Sequence, residues 1–413
     1  MHQINTRLHI ALYLAFFIVA VLLSSMGVVV MGMVNDVGIT KTDASILESF
    51  KDITIILSAF LVSSFIPRLG YKKTLLVALS VMGLGCFIMP TLNGFWAAKI
   101  MFVMTGLSFM LLKVVIYSLI GLHATNDKEY TSSVGILEGF FSFSMLIGTS
   151  LFGMFILLKE LGYGGFLSQG WTNAYWLLTC LCVISFALVT SCTIDESTIK
   201  PSKDIKPLSD VQGMWVLLTK PSVIAFALCV IAYGFLEQAI TTWLPKLYND
   251  VFALSESTAV FLAGSWPLSI AIGRLGWGIV MRYIDWMKIL IIGLFIALAM
   301  LISISMMMPI SVTVIGIPLG ALLLPWMGLF IGAVYPTLSA SMLGALKKSQ
   351  HSPMTGWSII FYAMGGAIGS RILGMYYQSH SGVQAIEMLA YPLGFLIAAI
   401  LAFAYYRKNR LSG

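Results

Sequence analysis

Charged residues are scarce in this chain of 413 residues, where they make up 10% of the total. A soluble domain covers its surface with such residues, which average about a quarter of an ordinary composition. Hydrophobic residues reach 59%, which leaves too little polar surface for a protein that folds in water. The composition therefore excludes a soluble globular protein.

Cysteines are also few, and all five lie in or at the ends of apolar runs. Cys180 and Cys182 have the wrong spacing for a zinc site and point to different faces of a helix. This usage indicates thiols that pack in an apolar interior. The chain also lacks a Walker loop, an HExxH motif, a nucleophile elbow and a dinucleotide fingerprint, so we expect no enzyme activity, no metal site and no cofactor.

Long apolar runs dominate what is present: about twelve of them, each roughly 20 to 30 residues long. A helix rises about 1.5 Å per residue, so each run is long enough to cross a hydrocarbon core of about 30 Å. Continuous apolar character favours helices over the alternating strands of a barrel. The first run is too long for a signal peptide and has no small-residue cleavage site behind it, so we expect a retained helix. The sequence thus predicts an all-α membrane protein with twelve transmembrane helices at 8–35, 46–66, 74–91, 95–122, 130–158, 172–192, 221–246, 257–281, 287–309, 312–343, 354–377 and 385–406.

Lys and Arg residues concentrate in alternate connections between these spans, including the turns 67–73 and 282–288. Basic residues favour the cytoplasmic side, so the bias predicts that both termini lie in the cytoplasm. The same distribution accounts for the net charge of +7, because cations in short loops face anionic lipid. Membrane lipid is therefore an expected partner and nucleic acid is not.

The longest polar connection, 193–220, contains Lys and Pro without apolar periodicity and is typical of a linker. It divides the chain into an N-terminal half, 1–192, and a C-terminal half, 221–413, with six predicted spans each. The turns 67–73 and 282–288 stand at equivalent points of the two halves, and each contains an Arg followed by a Lys. Two such halves joined by a linker are typical of alternating-access transporters, which bind their solute near the middle of the membrane.

The segment 273–278, Gly-Arg-Leu-Gly-Trp-Gly, is followed by Arg282, Asp285 and Lys288. This pattern resembles the signature loop of the major facilitator superfamily, and the segment 68–73 resembles its weaker counterpart in the first half. The resemblance covers essentially the whole chain and implies a major facilitator fold. It also implies a cytoplasmic gate formed by Arg68, Lys72, Arg274, Arg282 and Asp285. Pro67 stands where the family usually has an acidic residue, so the first-half side of this gate is expected to be incomplete.

Shorter motifs resemble the branch that contains the fucose/proton symporters: Asn35-Asp36, the turn 69–72, the segment 335–337 and Gly365-Gly366. Members of that branch carry a carboxylate in span 4 that takes part in proton coupling. Here the corresponding segment, 111–113, reads Leu-Leu-Lys. Fucose is therefore doubtful as the solute.

Ionisable residues inside the spans are the best functional evidence that does not depend on the resemblance. Each costs about 2.5 to 3.5 kcal/mol to place in lipid, so each is expected to face the protein interior and to find a partner. The candidates for proton coupling or for the solute cavity are Asp36, Asp52, Lys113, Glu138, Glu237 and Arg371.

Lys113 and Glu138 are both predicted to lie roughly 12 to 14 Å from the cytoplasmic end of their spans. They are therefore expected to form an ion pair. The pair is either a fixed structural contact or a functional one, in which Lys113 meets an anionic solute or releases Glu138 for protonation.

Three carboxylates stand near the predicted outer side. Asp36 is either a solvated helix-end residue or a protonatable group at the outward mouth of the cavity. Glu48 and Asp52 are four residues apart and share a helix face, as expected of carboxylates that exchange a proton. For Glu48, a solvated helix end is the preferred interpretation.

Glu237 lies in the middle of span 7, the second-half equivalent of the cavity-lining first span, and is predicted to bind a solute or a proton. Arg274 is interpreted as mainly structural. Arg371 is expected either to snorkel to the outer surface or to present its guanidinium to a carboxylate-bearing solute.

These observations together predict a monomeric transporter in the inner membrane of a bacterial-type cell. Its expected function is proton symport of a small polar solute, sugar-like or carboxylate-bearing, and its partners are that solute and protons. The alternative is a proton-driven exporter of a drug-like, siderophore-like or metabolite compound. A third possibility is a membrane sensor on the same fold that transports nothing.

Overall fold

The chain folds almost entirely into helices, as a computed structural model of residues 6–123, 127–192, 215–281, 283–307, 313–314, 316–346 and 350–411 describes. Within these ranges, eleven helical stretches are long and apolar enough to cross a membrane. A twelfth predicted span coincides with the 24-residue helix Ile46–Leu69. The chain is therefore an all-α, multi-pass membrane protein, as the sequence predicts.

Two compact units make up the fold. The first contains residues Met1–Ile39 and Phe50–Pro207, and the second contains Thr40–Ser49 and Leu208–Gly413. The short segment 40–49, which includes the start of the second predicted span, thus belongs to the second unit. Most of the predicted linker, 193–220, lies outside the described residues, and the division of the chain at that linker stays a prediction.

In the first unit, α1 (Thr6–Ser24) packs against α7 (Asp127–Glu160) and α8 (Ala174–Ser191), and α5 (Tyr71–Leu92) packs against α6 (Phe95–His123) and α8. A 3₁₀ helix, Gly165–Asn173, precedes α8. The helices that belong wholly or mostly to this unit are α1 Thr6–Ser24, α2 Met26–Asn35, α4 Ile46–Leu69, α5 Tyr71–Leu92, α6 Phe95–His123, α7 Asp127–Glu160 and α8 Ala174–Ser191.

In the second unit, the long helix α9 (Pro221–Val251) packs against α16 (His351–Ser379) and α18 (Ala390–Leu411), and the short helix α3 (Lys41–Ala44) packs against α16. A two-stranded antiparallel hairpin, β1 Thr313–Val314 with β2 Ile317–Pro318, pairs Thr313 with Pro318. The helices are α3 Lys41–Ala44, α9 Pro221–Val251, α10 Glu256–Ala263, α11 Ser265–Val280, α12 Trp286–Met307, α13 Leu319–Leu323, α14 Met327–Ile331, α15 Val334–Gly344, α16 His351–Ser379, α17 Gly382–Glu387 and α18 Ala390–Leu411.

Three predicted spans are interrupted in the structure. The first breaks at Ser25, whose hydroxyl donates to the Leu22 carbonyl at 2.7 Å, and the eighth breaks beside Ser265, whose hydroxyl donates to the Leu262 carbonyl at 2.5 Å. Such side-chain bonds to the preceding turn bend helices. The helix of the tenth span begins at Leu319 and not at residue 312, because the strands Thr313–Val314 and Ile317–Pro318 precede it. Its helix is then divided by a 3₁₀ turn that contains Pro325.

Small residues in a transmembrane helix, such as those at 365–367 with Gly369, predict a close contact with a neighbouring helix. In the structure, glycines at these positions allow α9 and α16 to approach closely. Gly365 lies against the Ile231 carbonyl, and Gly369 lies against the backbone and ring of Phe235. A side chain at either position would occupy the space of the neighbouring helix. The contact positions Tyr362 of α16 beside Glu237 of α9, which is the centre of the candidate site.

Large apolar side chains remain exposed on both units, for example Val183 at 63%, Leu275 at 73% and Ile292 at 56%. Apolar surface of this extent would be unfavourable in water and is expected where helices face lipid. The hydrophobic exterior therefore agrees with the composition.

Candidate functional site

The second unit holds a buried carboxylate that is joined to a guanidinium. Glu237 Oε1 lies 3.3 Å from Arg274 Nη2, and the two side chains are 12% and 35% exposed. The Tyr362 hydroxyl donates to Glu237 Oε2 at 3.0 Å, and Arg274 Nη2 also reaches the Tyr233 hydroxyl at 3.4 Å. We call these four residues the Glu237 cluster. An apolar helix bundle tolerates such a carboxylate because a cation and hydroxyl donors surround it.

Tyrosine rings form one wall of the Glu237 cluster. The rings of Tyr233 and Tyr335 are stacked, with centroids 6.0 Å apart and an interplanar angle of 18°. The ring of Tyr362 lies 5.5 Å from that of Tyr335. Three helices, α9, α15 and α16, therefore contribute aromatic faces beside one ion pair.

The packing of α11 against α14 explains why Arg274 pairs with Glu237. The resemblance of segment 273–278 to the signature loop implied that Arg274 belongs to a cytoplasmic gate. In the structure, its side chain reaches Glu237 in the middle of α9. Its Nε donates to the Gly332 carbonyl at 3.3 Å. Gly273, the preceding residue, lies directly against the Leu329 backbone, so α11 and α14 are close and the guanidinium is held inside the unit. The partnership with Glu237 was not predicted.

Lys113 and Glu138 form the predicted ion pair in the first unit. Lys113 Nζ lies 3.4 Å from Glu138 Oε1, and the side chains are 29% and 37% exposed. The Tyr117 hydroxyl also donates to Glu138 Oε1. Each unit thus carries a carboxylate that contacts a cation and a tyrosine hydroxyl.

Asp36 lies at the end of α2 and has two partners. Its Oδ1 is 2.9 Å from Lys159 Nζ, and its Oδ2 accepts from Trp171 Nε1 at 2.8 Å. It lines a cavity of about 320 Å³ in the first unit, together with Asn93, Gln169 and other residues. Asp36 is therefore a partly exposed helix-end carboxylate with two partners, and its role as a protonatable group stays a prediction.

The two carboxylates of α4 lie in different surroundings. Asp52 is 1% exposed and lies 3.2 Å from Lys51 Nζ, within the first unit. Glu48 is fully buried and accepts from the Thr242 hydroxyl at 3.0 Å, within the second unit. The interpretation of Glu48 as a solvated helix end is wrong, because the 40–49 segment packs on α9 and α16.

Arg371 holds the 40–49 segment. Its Nη1 donates to the Thr42 carbonyl and to the Ser45 hydroxyl at 3.0 Å. At the end of the same segment, the Ser49 hydroxyl donates to the Ala367 carbonyl at 3.3 Å. Both expectations for Arg371, snorkelling and solute binding, therefore missed this contact between α16 and the 40–49 segment.

Asp250 is the centre of a second contact with the same segment. Lys41 Nζ lies 3.1 Å from its Oδ2, Lys246 Nζ lies 2.6 Å from its Oδ1, and the Tyr377 hydroxyl donates to Oδ2 at 2.8 Å. Lys41 also lies over the Tyr377 ring, 3.5 Å from its centroid. Sequence reasoning missed this group because the partners stand in three separate parts of the chain.

The remaining residues of the predicted cytoplasmic gate make local contacts where they are described. Lys72 donates to the carbonyls of Thr190 at 3.0 Å and Cys192 at 2.6 Å, at the end of α8. Asp285 accepts from the backbone of Met287 at 3.0 Å and caps α12. The side chain of Arg68 and the whole of Arg282 lie outside the described residues. The gate as a functional unit stays a prediction.

No group of three or more metal-ligating side chains occurs in the part of the chain that the structure describes. Of the five cysteines, Cys180 is exposed and the other four are buried. The chemistry available in the site is therefore that of carboxylates, cations, hydroxyls and aromatic rings.

Solved structures share this fold at low sequence identity. The nucleoside transporter NupG has a TM-score of 0.72 and 11% identity, with 97% of this chain and 98% of that chain covered. A bacterial homologue of the human lysosomal transporter Spinster, in an inward-facing and occupied conformation, has a TM-score of 0.69 and 12% identity, with coverages of 97% and 94%. A structure described as giving insights into substrate recognition in proton-dependent oligopeptide transporters has a TM-score of 0.68 and 12% identity, with coverages of 97% and 98%. Among proteins with curated functions, no sequence matches this chain.

The sequence model of the Major Facilitator Superfamily matches residues 12–370. The match includes Glu237 and Arg274 and covers most of both units. The chain is a member of the major facilitator superfamily, a family of membrane transporters, and is not an enzyme.

Proposed function

We propose that this transporter carries a small polar solute together with a proton, by alternating access, and that Glu237 carries the proton. The observation that supports the proposal is the Glu237 cluster, in which Arg274 Nη2 lies 3.3 Å from the carboxylate. Neighbours on the same fold transport different solutes, so the assignment depends on the cluster and not on the fold.

Protonation changes what the cluster can bind. An ionised Glu237 neutralises Arg274 and accepts from the Tyr362 hydroxyl. A protonated Glu237 can donate to a neighbouring oxygen and no longer neutralises the guanidinium, which keeps its charge. Because a charge without a counter-ion is costly inside a membrane protein, protonation and solute binding become coupled.

Lys113 and Glu138 are proposed as the corresponding pair of the first unit. Their side chains are more exposed than Glu237, so water reaches them more easily and their attraction is weaker. We therefore assign the principal proton to Glu237 and a supporting role in solute binding to Lys113.

The 40–49 segment is proposed to leave and rejoin α9 and α16 during the transport cycle. Its contacts include ion pairs and hydrogen bonds through Lys41, Thr42 and Ser45, beside the buried side chains of Ala44 and Leu47. The polar part of this contact can exchange with water. We also propose that both termini lie in the cytoplasm, that the protein is located in the inner membrane and that it is a monomer.

Solute-dependent proton movement tests the proposal. The full-length protein is reconstituted in vesicles that contain a pH-sensitive dye, a pH gradient is imposed, and a panel of sugars, nucleosides, dipeptides and organic acids is added. We expect at least one solute to move protons through the wild type and through Glu256→Gln. That control residue lies at the start of α10, outside the Glu237 cluster. Glu237→Gln should bind solute but lose accumulation against a gradient. Unchanged gradient-driven accumulation by Glu237→Gln would contradict the assignment.

A further inference from the structure

We infer that the transported solute carries a carboxylate group, which binds Arg274 while Glu237 holds the proton. This inference rests on the proton-coupled function proposed above and specifies its solute. It follows from the charges, the donors and the aromatic surface of the Glu237 cluster.

The cluster has one negative and one positive charge. Among the described residues, Arg274 of α11 and Tyr362 of α16 bond Glu237, and the Tyr233 hydroxyl of α9 also faces it. Tyr233, one turn earlier on α9, contacts Arg274, and the ring of Tyr335 of α15 stacks on Tyr233. Glu48 meets α9 farther along the helix, at Thr242. With Glu237 ionised, the charges of Glu237 and Arg274 balance.

Protonation of Glu237 removes this balance. The proton binds a carboxylate oxygen of Glu237, the ion pair is lost, and the group acquires one net positive charge. A neutral solute would leave that charge without a counter-ion. A carboxylate solute would restore neutrality, whereas the same solute without the proton would place two carboxylates beside one guanidinium. Binding of one anion therefore requires one proton.

Arg274 has a donor available for such a solute. Its hydrogen bonds to Gly332, Tyr233 and Glu237 use Nε and Nη2, and among the described residues none uses Nη1. The side chain is 35% exposed, so a further group can reach it. The planar fork of a guanidinium matches the two oxygens of a carboxylate. Once Glu237 is neutral, Nη1 and Nη2 can both face the solute.

The body of the solute should be cyclic. Tyr335 and Tyr362 are partly exposed, and their rings lie 5.5 Å apart beside the ion pair. Aromatic faces favour flat or ring-shaped groups over extended chains. The structure therefore favours a cyclic monocarboxylate over a free sugar, a nucleoside or a peptide.

Matched pairs of acid and neutral compound test this inference in the purified full-length protein. The probes are benzoate with benzamide, cyclohexanecarboxylate with its amide, and glucuronate with glucose. Binding is measured as a shift of the melting temperature and by titration calorimetry, at about pH 5.5 and about pH 7.5. We expect an acid of at least one pair to bind and its neutral partner not to bind. Affinity should fall by up to about tenfold per pH unit, as one linked proton requires.

Glu237→Gln mimics the protonated carboxyl group and leaves Arg274 without its counter-ion. This variant should bind the acid about tenfold or more tightly than the wild type at the higher pH, with no pH dependence. The charge-balanced double variant Glu237→Gln/Arg274→Gln should fold and should not bind the acid. Glu256→Gln serves as the control and should behave as the wild type does.

Several results would overturn the inference: equal binding of acid and neutral partner, no binding of any acid to the wild type and to Glu237→Gln, or acid binding that survives in the double variant. Proton movement coupled to glucose or a nucleoside would also overturn it, while leaving the proposed function intact. Acid binding without any solute-coupled proton movement would instead contradict the proposed function.

Discussion

Lys41 Nζ lies 3.1 Å from Asp250 Oδ2, although the two residues flank different predicted spans. Lys246 approaches the other carboxylate oxygen at 2.6 Å. Asp250 thereby joins the 40–49 segment to the end of α9. One carboxylate with two cations and a tyrosine hydroxyl is the polar centre of this contact, so its removal should have large effects.

Asp250→Asn should destabilise the protein by about 1 to 3 kcal/mol, because it removes the carboxylate charge that pairs with Lys246 and Lys41. Lys246 is 8% exposed and Lys41 is 22% exposed. Lys41→Met should therefore cost less, within about 1 kcal/mol. Thermal unfolding in detergent measures both variants. A larger loss for Lys41→Met than for Asp250→Asn would contradict this order.

Lys113 and Glu138 should show a modest coupling energy in a double-mutant cycle. A fully buried pair would lose about 3 to 5 kcal/mol when one partner is removed. These side chains are 29% and 37% exposed, so we expect a coupling of about 1 kcal/mol. Lys113→Met, Glu138→Gln and the double variant are compared by stability and by transport. Strictly additive losses would show that the contact has no energetic consequence.

Gly369→Val should prevent the close approach of α9 and α16, because a side chain there meets the backbone and ring of Phe235. Overpacking of this kind costs about 1 to 3 kcal/mol. Gly394→Ala in α18 is the control, since the position faces open space. The control should be neutral or stabilising by up to about 1 kcal/mol. Melting temperatures of the two variants give the comparison, and similar losses in both would refute the packing argument.

Arg371→Gln should loosen the 40–49 segment, because it removes the Nη1 group that donates to the Thr42 carbonyl and to the Ser45 hydroxyl. The readout is the rate at which a maleimide labels Thr42→Cys, with the exposed Cys180 replaced by Ser. We expect faster labelling by several-fold in the Arg371→Gln background. Lys159→Gln, a change in the first unit, is the matched control and should leave the rate unchanged. Equal rates in all backgrounds would mean that Arg371 does not hold the segment.

Hydropathy and motifs alone identified the helical class, the approximate positions of the spans and the family, because a bilayer imposes length and composition on every crossing segment. Equal depth in two spans was sufficient to predict the contact of Lys113 with Glu138. Small residues at 365–369 likewise predicted a close helix contact. In these cases the position of each residue along its own helix was sufficient to predict the contact between helices.

Other relationships depended on helix rotation and on packing between distant segments, which hydropathy does not report. Arg274 belongs to a recognised loop motif, yet the rotation of α11 and its close contact with α14 direct the guanidinium to Glu237. Glu48 lies near the start of a helix, where a carboxylate is ordinarily solvated, yet docking of the 40–49 segment buries it against Thr242. The sequence thus determined which charges lie in the predicted spans, and for Glu48, Glu237 and Arg274 only the tertiary structure decided which partner each one contacts.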